Sequence, residues 1–536
     1  MSAQMPVATA SLPSSSRGDR IARYLNRALY AYAPANHALG SGAQPRWLPP
    51  LAVYGPHWVL PYLPWFLRVQ TTVLPRAARL RARAAAGEQD HLGLSRQLYG
   101  GRLPTSPLAA RVRSDAGFAE ARLAGPNPML IEGLSRAKAR GLFPDVAALR
   151  QPGGACYLVD FRVLREQRDA HAPATGKWLP CPRLLLRTGA PDGELEALAI
   201  QTETGAPSVL PGDGARWTMA KRCVQVADIN HQVLYEHLGH CHGVLGAFAL
   251  ATPRCLPRAH PLRRLLTPHL DGTVMVNWIT LQSFADPQGF FARQYAGSLE
   301  QSRATVAAAV RGCDLQQLHP EADLRRRRMD KAPLAYAWRD DVRLWWPVLQ
   351  RFVAAVVAQA YPAADGPARD PALRAWLHEL AHPDQGGLQG LPDAEAPSRE
   401  ALVDLLTLVL FLAGPQHATQ HYPQTPYYTD PDLFPAALYA PVPEGEVPPD
   451  WFARAHPPLE AAISQFHSNH LGNHRAQRFG DYRFCALGRD PALAKARQCL
   501  RQDLAAIEAE IDARNRQRRL PYPWLRPCEV PNSTHI

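Results

Sequence analysis

Residues 401 to 421 read ALVDLLTLVLFLAGPQHATQH. The first twelve, Ala401 to Leu412, are apolar on almost every helical face, and such a helix is stable only when buried all round. The stretch therefore predicts a central helix sheathed by others. It runs into GPQHATQH, where His417 and His421 stand four apart. At 3.6 residues per turn that spacing puts both imidazoles on one face, as a shared metal ion requires. An HxxxH pair alone is a weak signal; at the end of an apolar helix it gains weight, because buried imidazoles need partners. Pro415 removes a helical hydrogen bond just before His417 and marks a local irregularity.

A second histidine-rich stretch, Tyr235 to Gly246, reads YEHLGHCHGVLG. His237 and His240 are three apart and share a face of a regular helix. His237 and His242 are five apart, about 140° around the axis, and diverge. They converge only if the helix holds a π-turn, a rare feature that tends to occur at functional sites. Spacing alone leaves the pair open and leans toward His237 with His240.

Working outward, the chain has 536 residues, 46% of them hydrophobic, enough for a large core. Its 52 prolines are twice the usual share of roughly 5% and imply many irregular connections. The net charge of +12 favours anionic partners, including fatty-acid carboxylates and anionic lipid surfaces. No zinc-finger spacing, Walker loop or aromatic-basic interleaving supports nucleic acid. The run Arg325 to Arg328 reads as a solvated loop. Nine cysteines are scattered with no CxxC pair, which points to reduced thiols and a cytoplasmic home. Trp58 to Leu67 is apolar but short and broken by Pro61 and Pro64; it reads as a core loop or helix, with peripheral membrane contact as the alternative.

Residues 1–20 read as disordered, 21–85 as a helical and looped extension packed on the main domain, and 86–536 as that domain. Strands are expected at 155–162 and 182–188, in a small sheet. Helices are expected at 217–250, 292–312, 340–360, 399–422, 452–468 and 491–518. The fold class is thus predominantly α, built around buried central helices, with a minor β element.

Trp217 to Asn277 reads WTMAKRCVQVADINHQVLYEHLGHCHGVLGAFALATPRCLPRAHPLRRLLTPHLDGTVMVN. It resembles the lipoxygenases in its WxxAK opening, HxxxxH pair, ATxRxLPxxHP and LLxPH. The resemblance extends to Asp115–Ile131, to Arg339-Asp340-Asp341, to QHATQHYPQ at 416–424, and to the terminal VPNSTHI. It implies a compact bacterial-type lipoxygenase without the β-sandwich that precedes many plant and animal members. Aligned backward from Ala251-Thr252, the metal ligands fall on His237 and His242, with a π-turn between them, and His240 is left outside. The third ligand falls on His417, the fourth on His421 and the fifth on the carboxylate of Ile536. Four imidazoles, a carboxylate and a water suit octahedral non-haem iron, with manganese as the alternative. Gln424 takes the place of a glutamine that orients ligands.

The resemblance implies a dioxygenase that adds O2 to the 1,4-pentadiene of a polyunsaturated fatty acid. The hydrogen is abstracted by a ferric hydroxide, the metal-bound water being the base, and a hydroperoxide results. No obligate protein partner is implied. Thr280 stands at the stereocontrol position, where the family has Ala or Gly, and Phe284 stands one turn on, where Leu is usual. The larger, polar Thr280 should redirect oxygen or shift the substrate, Phe284 should narrow the pocket, and regio- and stereochemistry stay open. Two other outcomes of the same fold are an oxidase of a non-fatty-acid substrate and a catalytically silent lipid-binding homologue. A zinc hydrolase built on HLGH lacks an HExxH.

Overall fold

The computed structural model describes residues 17–33, 44–88, 111–166, 175–189, 194–483 and 485–536. In chain order, the helices that frame the site are α1 (Arg17–Leu29), α2 (Pro56–Ala85), α3 (Ala215–Asn230), α4 (Val244–Cys255), α5 (Thr273–Ala285), α6 (Phe290–Gln294), α7 (Leu299–Arg311), α8 (Ala337–Ala360), α9 (Arg399–Phe411), α10 (His417–His421), α11 (Leu459–Leu471) and α12 (Ala494–Gln517). Two π-helical segments, His231–Gly243 and Leu412–Gln416, join α3 to α4 and α9 to α10.

The apolar run at 401 is the core helix its composition requires. Ser398 starts α9 by accepting from the Ala401 N–H at 3.0 Å. Leu402, Leu405, Leu406, Val409 and Leu410 are then fully buried, each stabilising the fold by about 1.5–3 kcal/mol relative to exposure. Helix α8 lies along α9, and α12 along α8. The ion pairs from Arg514 and Arg518 to the buried Asp341 lock α12 to the start of α8, with Arg518 bidentate at 2.6 and 2.7 Å. The segment Arg399–Tyr428 is long and apolar enough to cross a membrane, yet 83% of its most apolar stretch lies inside the protein, as befits a core helix.

The β element is one antiparallel sheet in the order β1 (Glu132–Leu134), β2 (Cys156–Asp160), β3 (Arg183–Thr188) and β4 (Leu195–Gln201). Leu158 of β2 faces Leu185 of β3, and a bulge at Leu185–Leu186 shifts the pairing to β4. The strands expected at 155–162 and 182–188 are β2 and β3; the outer pair went unread. Two expected helices are each broken. The 292–312 helix divides at Ser298, which caps α7 through the Gln301 N–H. The 452–468 helix divides at Pro457-Pro458, where a continuous helix would clash with its own preceding turn.

The expected disorder over 1–20 lies, for residues 1–16, outside the described residues; residues 17–20 belong to α1. Helix α2 is longer than its prolines suggested: Pro56 occupies its first turn and Pro61, Pro64 and Pro75 lie within it. One face of α2, with Val69, Val73, Ala77 and Leu80, packs on Leu459, Ile463 and Phe466 of α11. The basic run at 325 is not wholly solvated. Arg327 is buried, donating to Asp323 at 2.6 Å and to the Ile131 carbonyl at 2.7 Å.

Candidate metal centre and cavity

The π segment His231–Gly243 decides which histidines meet. Bonding from i to i+5 brings residues five apart onto one face, and the rings of His237 and His242 stand 4.7 Å apart, centre to centre. The segment presses closely on α7. A Cβ at Gly239 would fall 2.4 Å from Ala309 Cβ, and one at Gly243 2.5 Å from Val310 Cγ2, so only glycine admits this approach. Helix α10 supplies His417, whose ring lies 5.0 Å from that of His237 and 5.1 Å from that of His242.

Ligand atoms of His237, His242 and His417 all lie within 4.8 Å of one another, and all three residues are buried. Nε2 of His242 faces Nε2 of His417 at 3.2 Å, and Nε2 of His237 faces Nδ1 of His421 at 3.3 Å. Two cis ligands on an octahedral ion with bonds of about 2.1 Å stand about 3.0 Å apart, so each pair has the spacing of neighbouring ligands, and the trio of His237, His242 and His417 is close enough to share one first-row metal ion. His421 stands at the edge of the trio. Burial alone accounts for most of the protonation behaviour. It holds His242 and His421 down to about 4, and it holds His237 and His417 well below the ordinary imidazole range, with the neighbouring rings adding to the effect. The four rings are therefore neutral at physiological pH, the form that binds metal.

The outer nitrogens of His237, His242 and His421 are oriented by partners, whereas His417 Nδ1 is buried without one. His242 Nδ1 meets Asn277 Oδ1 at 3.0 Å, while Asn277 Nδ2 donates to the His242 carbonyl at 2.9 Å. His421 Nε2 donates to the Gly472 carbonyl at 2.7 Å. The Gln424 amide lies 3.3 Å from His237 Nδ1 and 3.4 Å from the Gln232 amide oxygen, and Gln232 in turn donates to the Gln420 carbonyl at 2.9 Å. Such partners fix ring orientation and raise ligand basicity. His240 faces away from the trio, toward Glu236 at 3.0 Å. Burial raises the Glu236 carboxyl, but the His240 charge and hydrogen bond prevail and hold it at about 2.

The chain terminus threads inward. Val530 to His535 are buried and Ile536 is half-buried. Asn532 is held on three sides: its N–H donates to the Gln477 carbonyl at 2.9 Å, its Nδ2 to the Asp481 carbonyl at 3.0 Å, and its Oδ1 accepts from the Gly480 N–H at 3.0 Å. Thr534 bonds Thr273 at 2.9 Å, and the Tyr54 hydroxyl donates to the His535 carbonyl at 2.5 Å. The Trp58 ring stacks on that of His535 at 4.2 Å.

A cavity of about 510 Å³ lies against the cluster. Its walls include His237, His242, His421, Gln424 and Ile536, together with Thr280. No Asp, Glu, Lys or Arg is among its lining residues. Phe284 does not line it. The ring stacks at 3.9 Å behind Phe291, and Phe291 forms the wall. The expected narrowing by Phe284 is thus corrected: the α5–α6 turn inserts Phe291 in front of it. Sequence reading also missed Asn277, though it lies inside the quoted motif, and Tyr54, Trp58 and Tyr62, which line the cavity from the N-terminal segment. The signal for Asn277 was a polar residue within the apolar run Val274 to Ile279. Nothing local marked the other three.

The segments that carried the resemblance also meet in space. Trp217 Nε1 and Lys221 Nζ, from WxxAK, both bond Asp115 Oδ1, at 2.9 and 2.6 Å. The lipoxygenase family profile matches residues 206–522. A linoleate 9/13-lipoxygenase of Pseudomonas aeruginosa is 31% identical over 84% of this chain and 70% of its own length. A polyunsaturated fatty acid lipoxygenase of Sus scrofa, ALOX15, is 28% identical over 80% of this chain and 68% of its own. Among solved structures, a coral 8R-lipoxygenase superposes with a TM-score of 0.83 at 22% identity, covering 98% of this chain and 82% of its own. The manganese lipoxygenase of Gaeumannomyces graminis superposes with a TM-score of 0.76 at 21% identity, covering 97% of this chain and 98% of its own. With its helical fold, buried histidine cluster and apolar cavity, the chain belongs to the lipoxygenase family and is a dioxygenase of the oxidoreductase class.

Proposed function

We propose that the enzyme converts the 1,4-pentadiene of a polyunsaturated fatty acid to a hydroperoxide, around a non-haem iron held by His237, His242, His417, His421 and the Ile536 carboxylate. The observation that carries this reading is the conjunction of three buried, neutral imidazoles with an apolar cavity of about 510 Å³ that their elements wall. A bis-allylic C–H is weak, but no side-chain base removes its proton at neutral pH; the bound metal supplies the one-electron redox capacity that takes the hydrogen.

The chain's own residues do the rest. Burial keeps the imidazoles unprotonated, and Asn277, Gln424 and the Gly472 carbonyl hold the rings of His242, His237 and His421 in place. The Ile536 carboxylate offsets cationic charge in a dry site, where an uncompensated charge is costly. Walls free of Asp, Glu, Lys and Arg admit an acyl chain and exclude water from the radical it becomes. Thr280 stands on one side of that chain, where it governs which carbon O2 reaches. The nine free cysteines, six of them buried, support a reducing, cytoplasmic home.

Oxygen uptake and conjugated-diene absorbance with linoleate and arachidonate test the reaction, and metal analysis separates iron from manganese. A fully metal-loaded enzyme that consumes no O2 with either acid overturns the fatty-acid reading and points to another substrate class.

A further inference from the structure

Twelve large hydrophobic side chains are exposed among the described residues, and eleven of them fall between Ile21 and Leu74. The twelfth, Ile279, lines the cavity, as does the exposed Val59 of α2. The cavity therefore reaches solvent beside the first turns of α2. On that helix Leu60, Leu63, Leu67 and Leu74 recur at spacings of three, four and seven, forming one outward stripe, while the opposite face is spent on α11. A helix apolar on two sides needs cover on both, and contiguous exposed apolar surface marks an interaction site.

Charge tells what covers it. From Arg20 to Gly87 the sequence holds nine arginines and not one aspartate or glutamate, in a chain whose net charge is +12. Arg81 and Arg83, about two turns beyond Leu74, are paired with Glu460 and Glu88. A second copy of this chain would set like charge against like, whereas an anionic bilayer offers an apolar interior beneath a negative surface.

We propose that the outward face of α2 docks on an anionic lipid bilayer and seats the open end of the cavity against it. Acyl chains then pass from the membrane into the cavity without crossing water. The delivery role rests on the fatty-acid reading above, while the docking itself is measured without it.

The test is co-sedimentation of the metal-loaded full chain with vesicles of equal phosphatidylglycerol and phosphatidylcholine, beside vesicles of phosphatidylcholine alone. The expected result is binding to the anionic vesicles, at least about tenfold weaker to neutral ones or in high salt. The double variant Leu60→Asp/Leu63→Asp should bind at least about tenfold more weakly, with turnover of dispersed fatty acid unchanged, because neither side chain lines the cavity. If that variant fails to fold, Leu60→Ser/Leu63→Ser, checked by its melting temperature, should show the same direction of change. Absence of wild-type binding, or equal binding by a folded variant, overturns the proposal. So does a concentration-dependent dimer that Leu60→Asp dissolves, since the occupant is then a second copy. Vesicle binding without oxygen uptake sinks the fatty-acid reading alone; linoleate turnover without vesicle binding sinks the docking alone.

Discussion

At the scale of single residues, two imidazoles near one another in sequence have opposite fates. His242 joins the cluster and His240 pairs with Glu236. His242→Ala should therefore strip the metal, as should His237→Ala or His417→Ala, while His240→Ala keeps about one metal per chain. Elemental analysis of the purified variants decides it; a metal-free His240→Ala beside a metal-loaded His242→Ala would reverse the assignment. Thr280 makes a subtler difference. Its side chain reaches the cavity wall, so Thr280→Ala and Thr280→Gly remove bulk there and leave metal content unchanged. A change of about 0.7 kcal/mol between competing barriers shifts a product ratio about threefold. Chiral chromatography of the hydroperoxides should show a shift of at least that size in one or both variants. Identical regio- and stereoisomer distributions in both would remove Thr280 from oxygen control.

The elements that matter most are the two π segments and the terminal tail. Each π segment breaks helical regularity, and each is held by close packing: Gly239 and Gly243 against α7, Gly414 against Phe479. The tail is held by Asn532, Thr534 and the Tyr54 hydroxyl, all leading to Ile536 at the cavity wall. Most chain termini fray because nothing ties them down. On the proposed ligand set, one added residue displaces the terminal carboxylate by about 3.5 Å, beyond coordination distance. Deleting Ile536 or extending the C-terminus should abolish turnover and lower metal content, whereas an N-terminal tag leaves both intact. Normal kcat and metal content in a C-terminally extended protein would exclude the fifth ligand.

Over the whole molecule, the buried imidazoles make stability depend on pH. Burial holds His242, His421 and His269 at about 4 and His237 and His417 well below their ordinary range. The native state thus leaves them unprotonated where the unfolded chain takes up protons, near pH 6.5. Between about pH 6.5 and 4 the unfolded state binds more protons, so stability falls as pH falls through that window and is fully present above it. Each such imidazole costs on the order of 2 kcal/mol at about pH 5. The apoprotein should melt several degrees lower at about pH 5 than at about pH 7.5, and the holoprotein should release metal over the same range. An apoprotein melting temperature flat across both values would show that these rings are not buried neutral.

What the sequence determined by itself is what periodicity and composition can carry. The all-round apolar run at 401 required a buried central helix, and the terminal His417 and His421 required a common face, because both follow from 3.6 residues per turn. The motifs from Trp217 to Asn277 likewise carried the family. The choice of His242 over His240 was not legible from spacing, since a regular helix favours the wrong pair. The family motifs assigned it, and the π segment, on which α7 packs closely at Gly239 and Gly243, brings the rings of His237 and His242 together. The same holds for Phe291 standing in front of Phe284, for Arg327 drawn inside by Asp323, and for Tyr54 and Trp58 clamping a tail almost five hundred residues away. These depend on long-range contacts, and no local pattern of residues encodes a neighbour that only the folded chain brings near.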